Sequence, residues 1–281
     1  MVKILKSSFK KKIQFTSKFS EVERFLNQYK IDTICYSARC PNRVECFIQK
    51  KMTFMIMGEI CTRNCKFCNV KKGIPRRLDW TVPERIKKII KNFDLRYIII
   101  TSVTRDDLDD GGAEYFAFTV KNIKKDFPHI KIEILIPDFA GKERSLEKVV
   151  FSGADIVGHN IETIPRLYPE VRPMANFERS LFVLKQLKSL NPHLITKSGF
   201  MVGLGESIKE IQELLYILRD NGVDAVTIGQ YFQPSKGNLP VKKYVQDEEF
   251  KLYEKWSKRI GFRYILSGRY VRSSSLEIRG K

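Results

Sequence analysis

All six cysteines of this chain lie between residues 35 and 68, in two triplets of different spacing. The first is Cys35-x4-Cys40-x5-Cys46 and the second is Cys61-x3-Cys65-x2-Cys68. Cysteine is scarce and reactive, so this clustering points to metal or redox chemistry rather than packing. Three thiolates in a short stretch can hold three irons of a cubane and leave the fourth iron to another ligand. Two triplets therefore suggest two iron–sulfur clusters, each with an unusual fourth position. A disulfide framework suits a small secreted domain. This chain has 281 residues, and its first 20 hold neither an apolar signal core nor a small-residue cleavage site. Structural zinc takes four Cys or His ligands from paired spacings. Each triplet is one short of that, and His129, His159 and His193 lie far downstream.

The rest of the chain must position these thiols. After the cysteines, apolar strands alternate with amphipathic helices. The strands are expected at Thr53–Met57, Tyr97–Thr101, Lys131–Ile136, Asp155–Gly158, Ile195–Val202 and Ala225–Gln230. Runs such as Ile98-Ile99-Ile100 suit parallel strands covered on both faces. In Glu84–Phe93, residues Ile86, Ile89, Ile90 and Phe93 share one helical face. A further helix is expected at Glu21–Tyr29. Thr81-x-x-Glu84 and Ser207-x-x-Glu210 read as capping boxes, and Gly222 and Gly261 as helix ends. Six β/α units emerge, which predicts an α/β fold built as a partial (β/α)6 TIM-like barrel. The expected boundaries are an N-terminal extension with the first triplet (1–51), the barrel (52–261) and a short C-terminal extension (262–281).

The second triplet then falls in the loop after the first strand, on the face where such barrels place chemistry. Thr101-Ser102, Asp138, His159-Asn160, Lys197-Ser198 and Gln230 fall at the later strands, where a catalytic reading needs polar groups. Asp106, Asp107, Asp109 and Asp110 lack the regular spacing of a calcium loop and read as a polar loop contacting a ligand or capping a helix. Gly203-Leu-Gly205 lacks the third glycine of a dinucleotide fingerprint, and no phosphate loop or nucleophile elbow is present.

The net charge is +19. Six of those charges are lysines in the first 20 residues, which contain no acid, so +13 belongs to the remainder. That excess favours an acidic partner, against a plain alternative of a lysine-rich solvated surface. No apolar run approaches the ~18 residues of a membrane span. The N-terminal stretch reads as a basic arm of a cytoplasmic protein.

Cys61-Thr-Arg-Asn-Cys65-Lys-Phe-Cys68 resembles the CxxxCxxC signature of the radical S-adenosylmethionine (SAM) enzymes, including the aromatic residue before the third cysteine. Cys35-Tyr-Ser-Ala-Arg-Cys40-Pro-Asn-Arg-Val-Glu-Cys46 resembles the CxxxxCxxxxxC motif of the lipoyl synthases. The likeness runs from about residue 31 to the end. It includes Ile100 to Ala113, His159-Asn-Ile-Glu-Thr163, Val171-Arg-Pro173, Thr196 to Gly205, Thr227 to Ser235 and Arg272-Ser-Ser-Ser275. Two positions depart from the pattern. Ser275 replaces the tyrosine of Arg-Ser-Ser-Tyr, and Gly158 replaces an asparagine.

This resemblance implies two 4Fe–4S clusters and SAM. Cys61, Cys65 and Cys68 would hold the catalytic cluster that binds SAM. Cys35, Cys40 and Cys46 would hold the auxiliary one, with Ser274 as its fourth ligand and Ser273 as the alternative. Thr101, Ser102 and Asn160 are candidate SAM contacts, and Arg172 and Lys197 could orient the carrier or the methionine carboxylate. The implied reaction inserts two sulfurs, at C6 and C8 of an octanoyl group on a lysine of a lipoyl carrier domain, with the auxiliary cluster as sacrificial source. An unactivated methylene has no acidic proton, so a cofactor radical is required. The implied partners are an octanoylated lipoyl carrier, an electron donor such as ferredoxin or flavodoxin, and an iron–sulfur delivery protein, with no nucleic acid, no membrane, and a monomeric enzyme. A radical SAM methylthiotransferase acting on tRNA also uses two clusters, but normally adds a basic RNA-binding module that is not apparent here. A non-enzymatic iron–sulfur carrier would need no substrate cavity.

Overall fold

A computed structural model describes residues 16–278, so most of the basic N-terminal arm lies outside the described residues. Three helices come first: α1 (Ser17–Gln28), α2 (Ile34–Ser37) and α3 (Arg43–Ile48). Then follow β1 (Thr53–Ile56), the short β2 (Ile60–Cys61) and β3 (Lys71–Lys72), α4 (Val82–Phe93), β4 (Tyr97–Ser102), α5 (Ala113–Asp126), β5 (Lys131–Leu135) and α6 (Glu143–Val150). The remainder is β6 (Ile156–Gly158), α7 (Tyr168–Val171), α8 (Phe177–Leu190), β7 (Ile195–Val202), α9 (Ile208–Asp220), β8 (Ala225–Gln230), α10 (Asp247–Ile260) and β9 (Tyr264–Gly268).

The main sheet has the order β1-β4-β5-β6-β7-β8-β9 and is parallel throughout. The expected partial TIM-like α/β barrel is present, and its six β/α units are followed by a seventh strand, β9. That strand lies inside the segment assigned above to the C-terminal extension. Its residues are all half-buried.

Strand alternation divides the residues between two environments. Ile98, Ile100, Ile132, Ile134 and Val157 join Ile86, Ile89, Ile90, Val120, Ile123 and Val149 of the helices in one core. Tyr97, Glu133, Ile156 and Lys197 have the opposite parity and meet one another on the other face. Ser207 and Glu210 form the expected capping box of α9. The Thr81 box does not form, because the Thr81 hydroxyl donates to Asp79 Oδ1 at 2.6 Å and makes no cap hydrogen bond. Gly261 ends α10 at φ +96°, in the left-handed region that a side chain disfavours.

Both terminal extensions are built into the barrel. Phe19, Val22, Leu26 and Phe47 share a core with Phe54 and Phe93. Thr33 bridges Phe54, and Met55 N donates to Asp32 O at 2.9 Å, so the extension lies along the free edge of β1. The C-terminal segment leaves β9, the opposite edge, and presses on β8. A Cβ at Gly229 would lie 2.1 Å from Val271 O. Farther on, Ile278 is buried with Ile156 and Ala225. Asn42 Nδ2 donates to Tyr270 O at 2.6 Å and Lys51 pairs with Glu277 at 3.1 Å, tying the N-terminal extension to this segment.

Candidate active site

The loop carrying the second triplet starts at Cys61, the last residue of β2, and is closed by the pairing of Ile60 and Cys61 with Lys71 and Lys72. Its central brace is Arg63, only 5% exposed. The guanidinium makes two bidentate pairs. It donates to Asp106 at 2.8 and 2.7 Å and to Asp138 at 2.8 and 2.7 Å. Asp106 follows β4 and Asp138 follows β5, so one side chain straps the cysteine loop to the next two βα loops. Burial pushes the Asp138 carboxyl up, but hydrogen bonds from Arg63 and its charge prevail and hold it at about 2. Other elements hold the loop's backbone. Lys66 N donates to Val171 O at 2.9 Å, and Asn238 Nδ2 donates to the carbonyls of Lys66 and Cys68, both at 3.1 Å.

The thiols of each triplet sit close enough to act on one another electrostatically, Cys61 and Cys65 on Cys68, and Cys40 and Cys46 on Cys35. Burial pushes Cys35 up to about 12 and Cys68 up to about 11. Burial also raises Cys65, and the Arg172 charge opposes it. Three soft donors per site fit an iron–sulfur cluster. Among the described residues, no three His, Cys, Asp or Glu side chains converge on a single-ion site. A cubane puts each thiolate on its own iron and asks for no such convergence.

Around Cys65 lies a group of polar residues that can receive a charged ligand. Arg172 is 8% exposed and donates to Tyr168 Oη at 2.8 Å and to Asn160 O at 3.1 Å, while its Nε is buried without a hydrogen-bond partner. Glu162 adopts a left-handed backbone at φ +68°. Burial pushes its carboxyl up, and Arg172 and a hydrogen bond to Asn160 act against that. At the end of β4, Ser102 Oγ is also buried with no hydrogen-bond partner. Glu162 belongs to a segment singled out above, but its role was not legible, because a left-handed glutamate is imposed by tertiary structure. Glu206 was also missed. It accepts from the backbone N–H of Gly203 and Leu204, and burial pushes its carboxyl up.

Other expected residues do different work. Thr101 Oγ1 donates to Leu135 O at 2.9 Å and ties β4 to β5. His159 is fully packed between Ile136 O and Ser180 Oγ, and burial depresses it to about 4. Lys197 is buried in an ion pair with Glu133 and cannot meet a carrier or a methionine carboxylate. In the acidic run, Asp106 binds Arg63, Asp107 binds Arg105 and Asp110 caps α5 through Gly112 N and Glu114 N.

The first triplet is outside the barrel strands. Cys35 lies on α2, Cys46 on α3 and Cys40 between them. Cys46 and Ser275 line a cavity of about 280 Å³ with Asn42, Glu45, Gln49, Gly268, Tyr270 and Val271. Arg272 hydrogen-bonds Cys40 and lies near Cys46. Its guanidinium also donates to Val271 O at 2.7 Å and sits over Phe232 at 5.4 Å. The three serines differ. Ser273 Oγ donates to Asn160 Oδ1 at 2.9 Å, and Ser275 Oγ accepts from Arg272 N at 2.9 Å. The half-buried Ser274 hydroxyl makes no hydrogen bond among the described residues. The two triplets are thus linked through Cys65, Arg172, Asn160, Ser273, Arg272 and Cys40.

Residues 55–229 match the family model of the radical SAM superfamily. The chain is 48% identical over 265 residues to a lipoyl synthase of Caldicellulosiruptor saccharolyticus, covering 94% of this chain and 93% of that one. It is 49% identical over 255 residues to a lipoyl synthase of Caldanaerobacter subterraneus subsp. tengcongensis, covering 91% and 89%. Among solved structures, methylornithine synthase has the same fold, with a TM-score of 0.58 at 18% identity over 90% of this chain and 75% of that one.

Proposed function

The chain belongs to the radical SAM superfamily and, within it, to the lipoyl synthases, and from that premise we propose a division of labour between its two cysteine triplets. Family membership makes it a sulfur-inserting enzyme that uses SAM and 4Fe–4S chemistry. Relatives that align over nearly the whole chain set aside the tRNA-directed and electron-carrier readings.

In our reading Cys61, Cys65 and Cys68 hold the cluster that binds SAM. Arg172, with its unpartnered Nε, is the donor for the methionine carboxylate, and Ser102, Asn160 and Glu162 are the neighbouring polar groups for the rest of that ligand. Cys35, Cys40 and Cys46 hold a second cluster, with Ser274 as its oxygen ligand. When bound, these groups would supply two 5′-deoxyadenosyl radicals in succession, each from its own SAM, to remove one hydrogen at C6 and then one at C8 of an octanoyl chain, and the two sulfurs inserted there. The protein's part is to hold both sites at a fixed separation and exclude water between them. Arg63 fixes the first site through Asp106 and Asp138. Asn160 joins the sites, since it accepts from Ser273 and its carbonyl accepts from Arg172. A serine oxygen is hard beside the soft thiolates, which suits a ligand that must let go as sulfur leaves.

The substrate in this reading is an octanoylated lipoyl carrier, and the +19 charge suits an acidic one, steering encounter in a salt-dependent way. A ferredoxin or flavodoxin would supply electrons and a delivery protein would rebuild the second cluster, in the cytoplasm. Among the described residues no helix is long and apolar enough to cross a membrane.

The observation that carries this reading is the continuous set of contacts between the triplets, through Arg172, Asn160 and the Arg272–Ser275 turn. The test is anaerobic reconstitution followed by SAM, dithionite and an octanoyl-lysine peptide, read by mass spectrometry. The peptide gains two sulfurs with the wild type. With Cys35→Ala or Ser274→Ala, sulfur insertion fails while 5′-deoxyadenosine still forms. Cleavage of SAM with no sulfur on the peptide in the wild type would refute the substrate assignment.

A further inference from the structure

Among the described residues, Lys197 and Glu133 form a fully buried ion pair whose hydrogen bonds go to neither triplet. Both are about 1% exposed, and Lys197 Nζ donates to Glu133 Oε1 at 2.8 Å and Oε2 at 2.9 Å. Tyr97 Oη donates to the same carboxylate at 2.5 Å. Burying such a pair costs desolvation that the attraction barely offsets, so stability alone is a poor reason for it. What an ammonium adds is direction, because it has three donors. Two are used on Glu133, and another reaches Leu276 O at 3.0 Å. Leu276 lies two residues beyond Ser274.

The same stretch is held on its other side. Ser273 Oγ donates to Asn160 Oδ1 at 2.9 Å, and Arg272 donates to Gln230 O at 3.3 Å. Beyond Leu276, Glu277 pairs with Lys51 at 3.1 Å and Ile278 is 3% exposed. Ser274 is therefore bracketed by contacts that require no bound group. We infer that Lys197, oriented by Glu133 and Tyr97, is a positioning residue that fixes the Leu276 backbone and so keeps the Arg272–Ser275 turn, whose Arg272 reaches Cys40 and whose Ser275 lines the cavity with Cys46, at the first triplet with or without a cluster. A free tail would have to be ordered each time a cluster formed, and a lone serine oxygen is a weak ligand to bear that entropy. A tail seated beforehand lets a consumed cluster be replaced in a ready-made site. The inference rests on the assignment of Ser274 as ligand.

Two variants test it, chosen because Lys197→Met alone would strand a buried carboxylate. One pairs Lys197→Met with Glu133→Leu, and the other deletes residues 276–281. In cluster-free full-length protein, trypsin cutting at the Arg272–Ser273 bond reports whether the tail is seated. We expect the double variant to be cut about tenfold faster than wild type, through local opening of the tail. After reconstitution both variants should keep SAM cleavage but lose about half of the iron bound by wild type, one cubane of two. Wild-type protection at Arg272 in the double variant, or full iron in the truncated protein, overturns the inference. A Ser274→Ala variant separates the two readings. If it keeps all its iron, the ligand assignment fails, whereas the proteolysis result measures the anchor directly.

Discussion

The two cysteine triplets are built in opposite ways. The second lies within eight residues and is braced from inside the barrel by one buried arginine, two aspartates and backbone contacts from the segments after β6 and β8. The first is spread over two short helices, and the serine proposed to complete it returns from the far end of the chain. Its cavity lies where the N-terminal extension meets the segment after β9. The difference fits the proposed fates of the two sites. A cluster used repeatedly is mounted on rigid βα loops. One that is consumed is assembled where the N-terminal extension meets the segment after β9, whose seat on the strands is proposed above to persist when the cluster is gone.

This contrast can be broken experimentally, and the largest effect should come from Arg63. Arg63→Met leaves the buried Asp138 with only the longer Arg179 pair at 3.6 Å and the Ala140 N–H, a loss of about 3 kcal/mol, at the lower end for breaking a buried pair. Thermal unfolding of the cluster-free protein should show it, and SAM cleavage should disappear while the first triplet still takes up iron. Iron lost from the first triplet instead would mean that the two sites are not independently braced.

Acid should weaken the barrel side next. Burial holds His159 at about 4, below its ordinary 6.5, so the unfolded chain binds the extra proton between these values. Folded stability is then complete above pH 6.5 and declines as pH falls towards 4, by about 3 kcal/mol in all. Urea unfolding of cluster-free protein at pH 7 and pH 4.5 measures it, and His159→Gln should flatten the dependence. Ser273→Ala removes one hydrogen bond from the link between the sites, worth about 1 kcal/mol. It should lower iron uptake at the first triplet modestly and leave SAM cleavage intact. The smallest effect belongs to Lys71→Ala. Its pair with Glu59 is exposed on both sides, and unfolding should move by less than about 0.5 kcal/mol.

Much of this was legible in the sequence because it is periodic or local. The alternation of apolar strands with amphipathic helices gave β7 and β8 at their observed ends, and Ser207 with Glu210 gave a true capping box. Its position directly after the first expected strand put the second triplet in the loop after β1. Features set by distant contacts were not legible. Thr81 has the capping pattern, but Asp79 competes for its hydroxyl. Nothing local shows that Arg63 will meet Asp106 and Asp138. Lys197 at a strand reads as a ligand-facing cation until Glu133, on a different strand, is seen to neutralise it. Only the assembled tail distinguishes the three adjacent serines.

An open barrel ends in strands with unpaired N–H and C=O groups, an invitation to other sheets. Here Asp32 and Thr33 take up that role along β1, through the bond to Met55 and the bridge to Phe54. The segment leading into the first triplet is thus also a guard against polymerisation. Trimming the N-terminal extension to isolate the barrel should yield a protein that self-associates, and its solubility would fail for reasons unrelated to iron.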